Sequence, residues 1–340
     1  MVSRLLAFRP PQQAARWLLV LCACGVLGTA GAQAPAGQQP AERGITEWLV
    51  RMQEASRVRS YVGTFVVSSS TGAMSSARIW HAGDANQQIE RVEVLTGAPR
   101  STFRRNDEVL TFLPEHRLVR AEKRESLGLF PNLLKSTDTS IPEFYSAKRV
   151  GVERVAGFDA DVVQLAPKDA LRFGYRVWSE RRSGLVVKLQ TLDGDGNVLE
   201  QAAFSELQLD QPVRADKLAQ MMQPPQGWRV ERPEATKTNP AAEGWALKTP
   251  VAGFKHMSCY KRPATAGGEG GMQWIFSDGL ASVSLFVEPF DRNRHTQEGL
   301  FAAGATQTLT RRIDDWWLTA VGEVPPQTLR AFAQSLERRR

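Results

Sequence analysis

Cysteine is scarce in this chain: its 340 residues include three cysteines, and two of them, Cys22 and Cys24, lie near the amino terminus. The stretch that holds these two is typical of a cleaved leader, so Cys259 is predicted to be the single cysteine of the mature chain. An intramolecular disulfide is thereby excluded, and the fold must be stabilised by its apolar core. Because Cys259 falls within a predicted strand, we expect a buried thiol rather than a reactive one.

A long apolar run is also missing. The run at residues 17–27 is shorter than the about 20 residues that a membrane-spanning helix needs. Arginines precede it at positions 4, 9 and 16, and small residues follow at 29–34. This order is typical of a secretory signal peptide, so residues 1–34 are predicted to be removed by a cut after Ala32 or Ala34. An uncleaved anchor and a buried helix are the alternatives, and a lipobox-like stretch at residues 21–24 leaves lipid attachment at Cys24 open.

The chain has no strong excess of either charge. Its formal net charge is +7, and three of the positive charges belong to the leader, which leaves +4 for the mature chain. This balance is too weak and too scattered to favour a nucleic-acid partner. It suits contact with anionic lipid head groups or an acidic peptide.

Recognisable catalytic motifs are absent as well: the sequence contains no G-x-S-x-G, no P-loop and no H-E-x-x-H. Asp193-x-Asp195-x-Asn197 begins like a calcium loop but lacks the required glycine and glutamate, so a hairpin turn explains it better. Ser258-x-x-Lys261 matches the first motif of serine acyl-enzymes, but Ser258 is predicted in mid-strand. The sequence offers no credible catalytic constellation, so we predict a protein that is not an enzyme and that needs no cofactor or metal. An envelope hydrolase built on Ser258 and Lys261 is the weak alternative.

What is present is a regular alternation of short elements. Ile45, Trp48, Leu49 and Met52 have the spacing of one face of an amphipathic helix. From Tyr61 onward the apolar period becomes two, and turn signals recur about every 8–12 residues, which indicates an antiparallel sheet or an open barrel. Residues 126–146 break this rhythm and are predicted to form helical turns or a mobile lid.

The mature chain, about 306 residues long, is too large for one small core. The pattern predicts an α+β protein of mostly antiparallel strands, with a large domain over residues 44–210. A linker rich in proline is predicted over 211–243, and a small α+β domain over 244–337 that ends in a helix entered at Pro325-Pro326. A curved sheet with a lid could enclose an apolar cavity suited to an acyl chain, and a filled core is the alternative.

Several stretches, in their order and spacing, resemble the RseB/MucB family of sigma-E regulatory proteins over about residues 44–335. In the large domain they are Leu95–Arg100 with Arg105–Val109, and Phe173–Trp178 with Gly184-Leu185 and Leu192–Gly196. In the small domain they are Gly253-Phe254, Phe276–Leu280 and Val321–Thr328.

The resemblance implies a large domain like the lipoprotein carriers, a half-open antiparallel β-barrel with helices, beside the small α+β domain. It implies a periplasmic protein that binds the periplasmic part of an RseA/MucA-type anti-sigma factor and shields it from regulated proteolysis. Lipid or lipopolysaccharide would loosen that complex. A lipid or lipoprotein carrier is the alternative function, and the sequence leaves a homo-oligomer open.

Two sets of residues are predicted to carry these functions. Alternating apolar positions and the lid predict an acyl-chain site lined by Phe65, Val67, Leu110, Phe112, Leu129 and Phe130. Aromatic residues are frequent anchors at interfaces, which predicts anti-sigma contacts at Phe254, Tyr260, Trp274, Phe286 and Trp316. Each of these aromatics is an equally good core residue.

Overall fold

The alternating apolar segments between residues 61 and 231 form one curved sheet, and we call the face that carries the first helix its concave face. The structure, a computed structural model, describes residues 43–84, 87–123, 130–134, 140–232, 235–262 and 270–339. The strands of the large sheet are β1 Tyr61–Ser69, β2 Met74–Gly83, β3 Gln88–Val94, β4 Ser101–Arg105, β5 Glu108–Leu113, β6 Leu118–Lys123, β7 Tyr145–Val155, β8 Phe158–Pro167, β9 Gly174–Glu180, β10 Val186–Leu192, β11 Val198–Leu209 and β12 Arg229–Glu231.

These twelve strands follow the order β12-β6-β5-β4-β3-β2-β1-β11-β10-β9-β8-β7. All pairings are antiparallel except that of β12, which runs parallel to β6. β7 and β12 are the two ends of this order, so in the described residues the sheet does not close on itself. The predicted class, mostly antiparallel with a half-open barrel, is confirmed.

A long helix packs on the concave face of this sheet, and a short one lies beside it. Helix α1, Ile45–Val58, buries Ile45, Trp48, Leu49 and Met52, the positions that the helical spacing predicts. The short helix α2, Ile141–Phe144, lies beside it and buries Ile141. Within the predicted lid, residues 130–134 and 140–146 are described, and both Phe130 and Leu133 are buried in this core.

The segment predicted as a linker carries ordered elements. Helix α3, Ala215–Met221, packs Leu218 against the convex face of the large sheet, and β12 adds to its edge. The sequence did not predict these contacts, because the segment is rich in proline and because α3 is short and contributes few apolar residues. The domain bounds drawn from the sequence stay predictions.

The carboxy-terminal third builds a second sheet. Its strands are β13 Thr236–Lys237, β15 Lys255–Arg262, β16 Gly271–Ser277, β17 Ser282–Pro289, β18 Gly299–Ala303, β19 Thr306–Ile313 and β20 Trp316–Gly322, in the order β13-β15-β16-β17-β20-β19-β18. A separate pair joins β14 Trp245–Leu247 to β21 Leu336–Arg338. Helix α4, Pro326–Ser335, covers one face of the seven-stranded sheet with Leu329, Phe332 and Ala333.

Two features of the amino-terminal region lie outside the described residues: the predicted signal peptide over 1–34 and the lipid attachment considered at Cys24. In the part of the chain that is described, no helix is both long and apolar enough to cross a membrane.

Candidate functional site

The concave face of the large sheet carries half of the predicted acyl-chain residues. Phe65 and Phe130 have ring centroids 5.5 Å apart, and Phe204 on β11 lies 4.9 Å from Phe130. Val67 packs against the same cluster and is partly buried. Gly63 keeps this space open for the Phe204 ring, because a Cβ there would come within 2.7 Å of it. Phe130, from the segment predicted as a lid, therefore fills the space between Phe65 and Phe204 on this face.

Leu110 and Phe112 lie on the opposite, convex face of the sheet. Strand register decides this, because neighbouring cross-strand partners share a face. Leu110 pairs with Phe103, whereas Phe65 pairs with Ala77 on the concave side. Phe112 packs 6.2 Å from Trp228, a residue of the predicted linker. The structure thus divides five of the six predicted residues between two faces, and the sixth, Leu129, lies outside the described residues.

A buried polar row crosses the concave face beside α1. Tyr61, His81, Glu90 and Arg104 are cross-strand neighbours on β1 to β4 and are all buried. The Tyr61 and His81 rings stack with centroids 4.8 Å apart, and Glu90 lies 3.9 Å from Arg104. Periodicity could have placed these residues on one face, but hydrophobicity does not mark them as buried.

Burial sets the protonation of this row. It lowers the pKa of His81 to about 4, an effect opposed by the contact between the His81 Nδ1 and the Arg59 carbonyl. Burial also raises the pKa of the Glu90 carboxyl, and the positive charge of Arg104 partly offsets this rise. Within the described chain, Tyr61 Oη, His81 Nε2 and Glu90 Oε2 have no hydrogen-bond partner. His81 is therefore neutral at neutral pH.

A second buried polar cluster joins the two domains. Arg172, on the loop before β9, lies with its Nε 2.9 Å from Asp278 Oδ2 in the β16–β17 turn, and both side chains are fully buried. Tyr145 donates its hydroxyl to the same oxygen at 3.0 Å. Asp278 Oδ1 accepts the backbone N–H groups of Leu280 and Ala281.

Further contacts surround this joint. Arg172 also donates to the Ala252 carbonyl at 2.7 Å, pairs with Asp169 and stacks over the Phe254 ring. Leu280, a small-domain residue, packs within the large-domain core. The two domains therefore share one continuous buried interface.

Of the five aromatics predicted to bind the partner, two are buried and three are half-buried. Phe254 and Trp274 lie in the small-domain core beneath α4. Tyr260 and Phe286 are half-buried on the opposite face of the sheet, where the register aligns both with Gln273 on β16. Trp316 is half-buried at one end of the sheet, with the Arg338 guanidinium 4.3 Å from its ring centroid.

The motifs weighed for chemistry lie in ordinary secondary structure. Ser258 of the S-x-x-K match lies within β15, in mid-strand as predicted. Asp193 accepts backbone N–H bonds from Asp195 and Asn197, which closes the predicted hairpin turn between β10 and β11. Cys259 is buried as predicted, and its burial raises the pKa of the thiol to about 11. No group of three or more candidate metal ligands occurs among the residues that the structure describes.

Family comparison accounts for both domains. The model of the MucB/RseB N-terminal domain matches residues 44–222, and that of the MucB/RseB C-terminal domain matches residues 239–337. This chain belongs to the MucB/RseB family. The resemblance seen in the sequence is thus confirmed over residues 44–222 and 239–337.

Individual relatives agree. The chain is 27% identical over 296 residues to the sigma factor AlgU regulatory protein MucB of Pseudomonas aeruginosa, covering 86% of this chain and 90% of that protein. It is 26% identical over 295 residues to the sigma-E factor regulatory protein RseB of Escherichia coli, covering 85% and 89%. Among the family members compared, the names describe regulators rather than enzymes.

Solved structures give the same picture. The chain is similar to a complex structure of Pseudomonas aeruginosa MucA/MucB, with a TM-score of 0.68 and 26% identity, covering 87% of this chain and 99% of that chain. It is also similar to a crystal structure of MucB, with a TM-score of 0.62 and 25% identity, covering 86% and 97%.

Proposed function

We propose that this family member is a periplasmic negative regulator of a sigma-E-type envelope-stress response. It binds the periplasmic part of a membrane anti-sigma factor, shields that segment from regulated proteolysis, and responds to lipid or lipopolysaccharide. The single observation that carries the proposal is the match of both domains to MucB/RseB, whose member MucB is described in complex with the periplasmic part of MucA. The predicted leader supports export of the chain to the periplasm.

The partner surface is the open face of the small sheet. Tyr260 and Phe286 are its half-buried aromatics, and the Arg262 guanidinium lies 5.3 Å from the Phe286 ring centroid. Aromatic and arginine side chains together are the residues most enriched among interface hot spots. Phe254 and Trp274 are covered by α4, so they support this sheet from its core rather than contact the partner.

Lipid acts on the concave face of the large domain. An acyl chain enters there by replacing the Phe130 ring against Phe65 and Phe204, which opens the segment that also carries Leu129. Lipid releases the partner if the opened state binds the anti-sigma segment less tightly than the closed state does. The shared interface at Arg172 and Asp278 is the route by which the change reaches the small domain.

A lipid or lipoprotein carrier is the second candidate function, because the large sheet is half-open with an apolar concave face. The closely joined second domain favours the regulator, since a simple carrier does not need it.

Calorimetric titration of the mature chain with the periplasmic segment of the anti-sigma factor from the same organism tests the proposal. We expect micromolar or tighter binding, weakened by added lipopolysaccharide. Phe286→Ala should weaken binding about tenfold or more if this aromatic is a hot spot. Leu95→Ala, at an exposed apolar residue of the large domain, is the matched control and should bind normally. Absence of binding by a folded sample would favour the carrier.

A further inference from the structure

The last strand of the small sheet is an uncovered edge. β18 pairs with β19 on one side, and in the described chain no strand pairs with its other side. Within a strand, successive residues point their backbone N–H and C=O groups to opposite sides. Every second residue of β18 therefore presents an unpaired donor and acceptor. Such an edge is a template for a further strand.

Side chains make this edge unusually apolar. Leu300 is 37% exposed and Phe301 is 43% exposed. Natural edge strands are commonly protected by charge, proline or a bulge. Residues 299–303 read Gly-Leu-Phe-Ala-Ala and contain neither a charge nor a proline. An edge that lacks both charge and proline can accept a further strand from a partner.

A groove runs along the same edge. A space of about 400 Å³ lies between β18, β19 and α4, with Leu300, Leu309 and Ala333 as its apolar lining. Arg311 and Arg330 line it as well, and both are exposed. In the portion of the chain that the structure describes, neither arginine forms an ion pair, and Glu298 is the one carboxylate in the lining. The groove therefore has a net positive charge.

The two faces of the edge fit the two faces of an added strand. Leu300 shares its face with Leu309 and looks toward α4, whereas Phe301 shares its face with Thr308 on the open side of the sheet. An added strand would place alternate side chains in the groove and the others beside Phe301. That second row extends the open face proposed for the partner.

From this combination we infer that β18 binds an extended, acidic and partly apolar segment of the anti-sigma factor by strand addition. The segment forms backbone hydrogen bonds with β18, an apolar side chain fills the groove, and carboxylates pair with Arg311 and Arg330. This mode of recognition takes its affinity from the backbone and its specificity from the groove. The inference rests on the proposed function and specifies the docking mode of the same partner.

Proline substitution at the edge tests the backbone bonds. Phe301 and Ala302 are adjacent, so one of them points its N–H away from β19, and proline at that residue leaves the sheet intact. Phe301→Pro and Ala302→Pro are each compared with Phe301→Ala by thermal unfolding. The variant that keeps the wild-type midpoint should bind the purified periplasmic segment about tenfold or more weakly than Phe301→Ala.

Charge neutralisation tests the groove. Arg311→Gln and Arg330→Gln should each weaken binding by about two- to fivefold, and the double variant should show less dependence on salt. Arg154→Gln, at an exposed arginine of β7, is the matched control and should match the wild type in affinity and salt dependence.

Amide hydrogen exchange locates the bound segment directly. We expect amides within residues 299–303 to gain protection when the periplasmic segment is added. Binding by the wild type with no protection there, or a folded proline variant that binds equally, would overturn the strand addition and leave the proposed regulator intact. Protection that grows with protein concentration alone would mean that a second copy covers the edge, which also overturns it. No binding by the wild type would instead count against the proposed function.

Discussion

The buried ion pair between the domains gives the most stringent test of the structure. Asp278→Asn removes the carboxylate charge while keeping an acceptor for the Leu280 and Ala281 amides. Arg172 then retains Asp169, whose side chain is 33% exposed, as its carboxylate partner. Removing one partner of a buried pair typically costs about 3–5 kcal/mol. Because Arg172 keeps its remaining contacts, we expect a loss at the lower end of this range, about 3 kcal/mol.

Urea unfolding followed by tryptophan fluorescence measures this loss, because eight of the chain's nine tryptophans lie outside the predicted leader and are spread over residues 48–317. We expect a lower unfolding midpoint, together with separation of the domain transitions, since the pair joins the two cores. A transition that ceases to be two-state would be read as loss of coupling rather than as one free energy.

Two further variants complete the test. Asp216→Asn breaks the exposed Arg214–Asp216 pair on α3 and should leave the midpoint unchanged. The double variant Arg172→Met, Asp278→Asn keeps an acceptor for the Leu280 and Ala281 amides and leaves only Asp169, which is partly exposed, without its arginine. It removes the buried guanidinium that Asp278→Asn deprives of its main partner, so it should be more stable than Asp278→Asn. Equal midpoints for Asp278→Asn and Asp216→Asn would refute the reasoning.

Three further predictions concern single side chains. Because His81 titrates at about 4 in the folded chain and near 6.5 when unfolded, stability should fall as pH drops from 6.5 to 4, by up to about 3 kcal/mol. His81→Phe should lose that part of the pH dependence in thermal unfolding at pH 7 and 4.5, and an unchanged slope would contradict the burial. The thiol of Cys259 should resist iodoacetamide at pH 8 until urea is added, whereas rapid native labelling would mean an accessible thiolate. Phe130→Ala should cost about 3–5 kcal/mol in urea unfolding, and no loss would mean that its segment is detached from the core.

Much of the secondary structure could be read from local pattern. The helical spacing from Ile45 identified the face that α1 buries, and the hairpin closed by Asp193 followed from its glycine-rich turn. Strand content and antiparallel pairing followed from short alternating segments and frequent turns. These features depend on residues close together in the chain, so the sequence suffices for them.

The candidate sites were less accessible. Phe65 and Phe112 both lie in alternating strands, yet the register places them on opposite faces of one sheet. A shift of one residue reverses the face of every side chain, and no local pattern fixes pairing between distant strands. The contacts of α3 escaped notice for a related reason, since a short segment carries too little periodicity to predict what it packs against.

The sequence by itself determined the mostly antiparallel architecture, the buried Cys259 and the family, and it predicts a leader. The leader pattern, the periodicity and the motif order depend on residues close together in the chain, so they can be read from the sequence alone. Only the tertiary structure decided that Arg172 and Asp278 meet, more than one hundred residues apart, and that β18 is left as an open edge. Both outcomes depend on which distant segments pack together, and the free energy of the whole fold determines that packing.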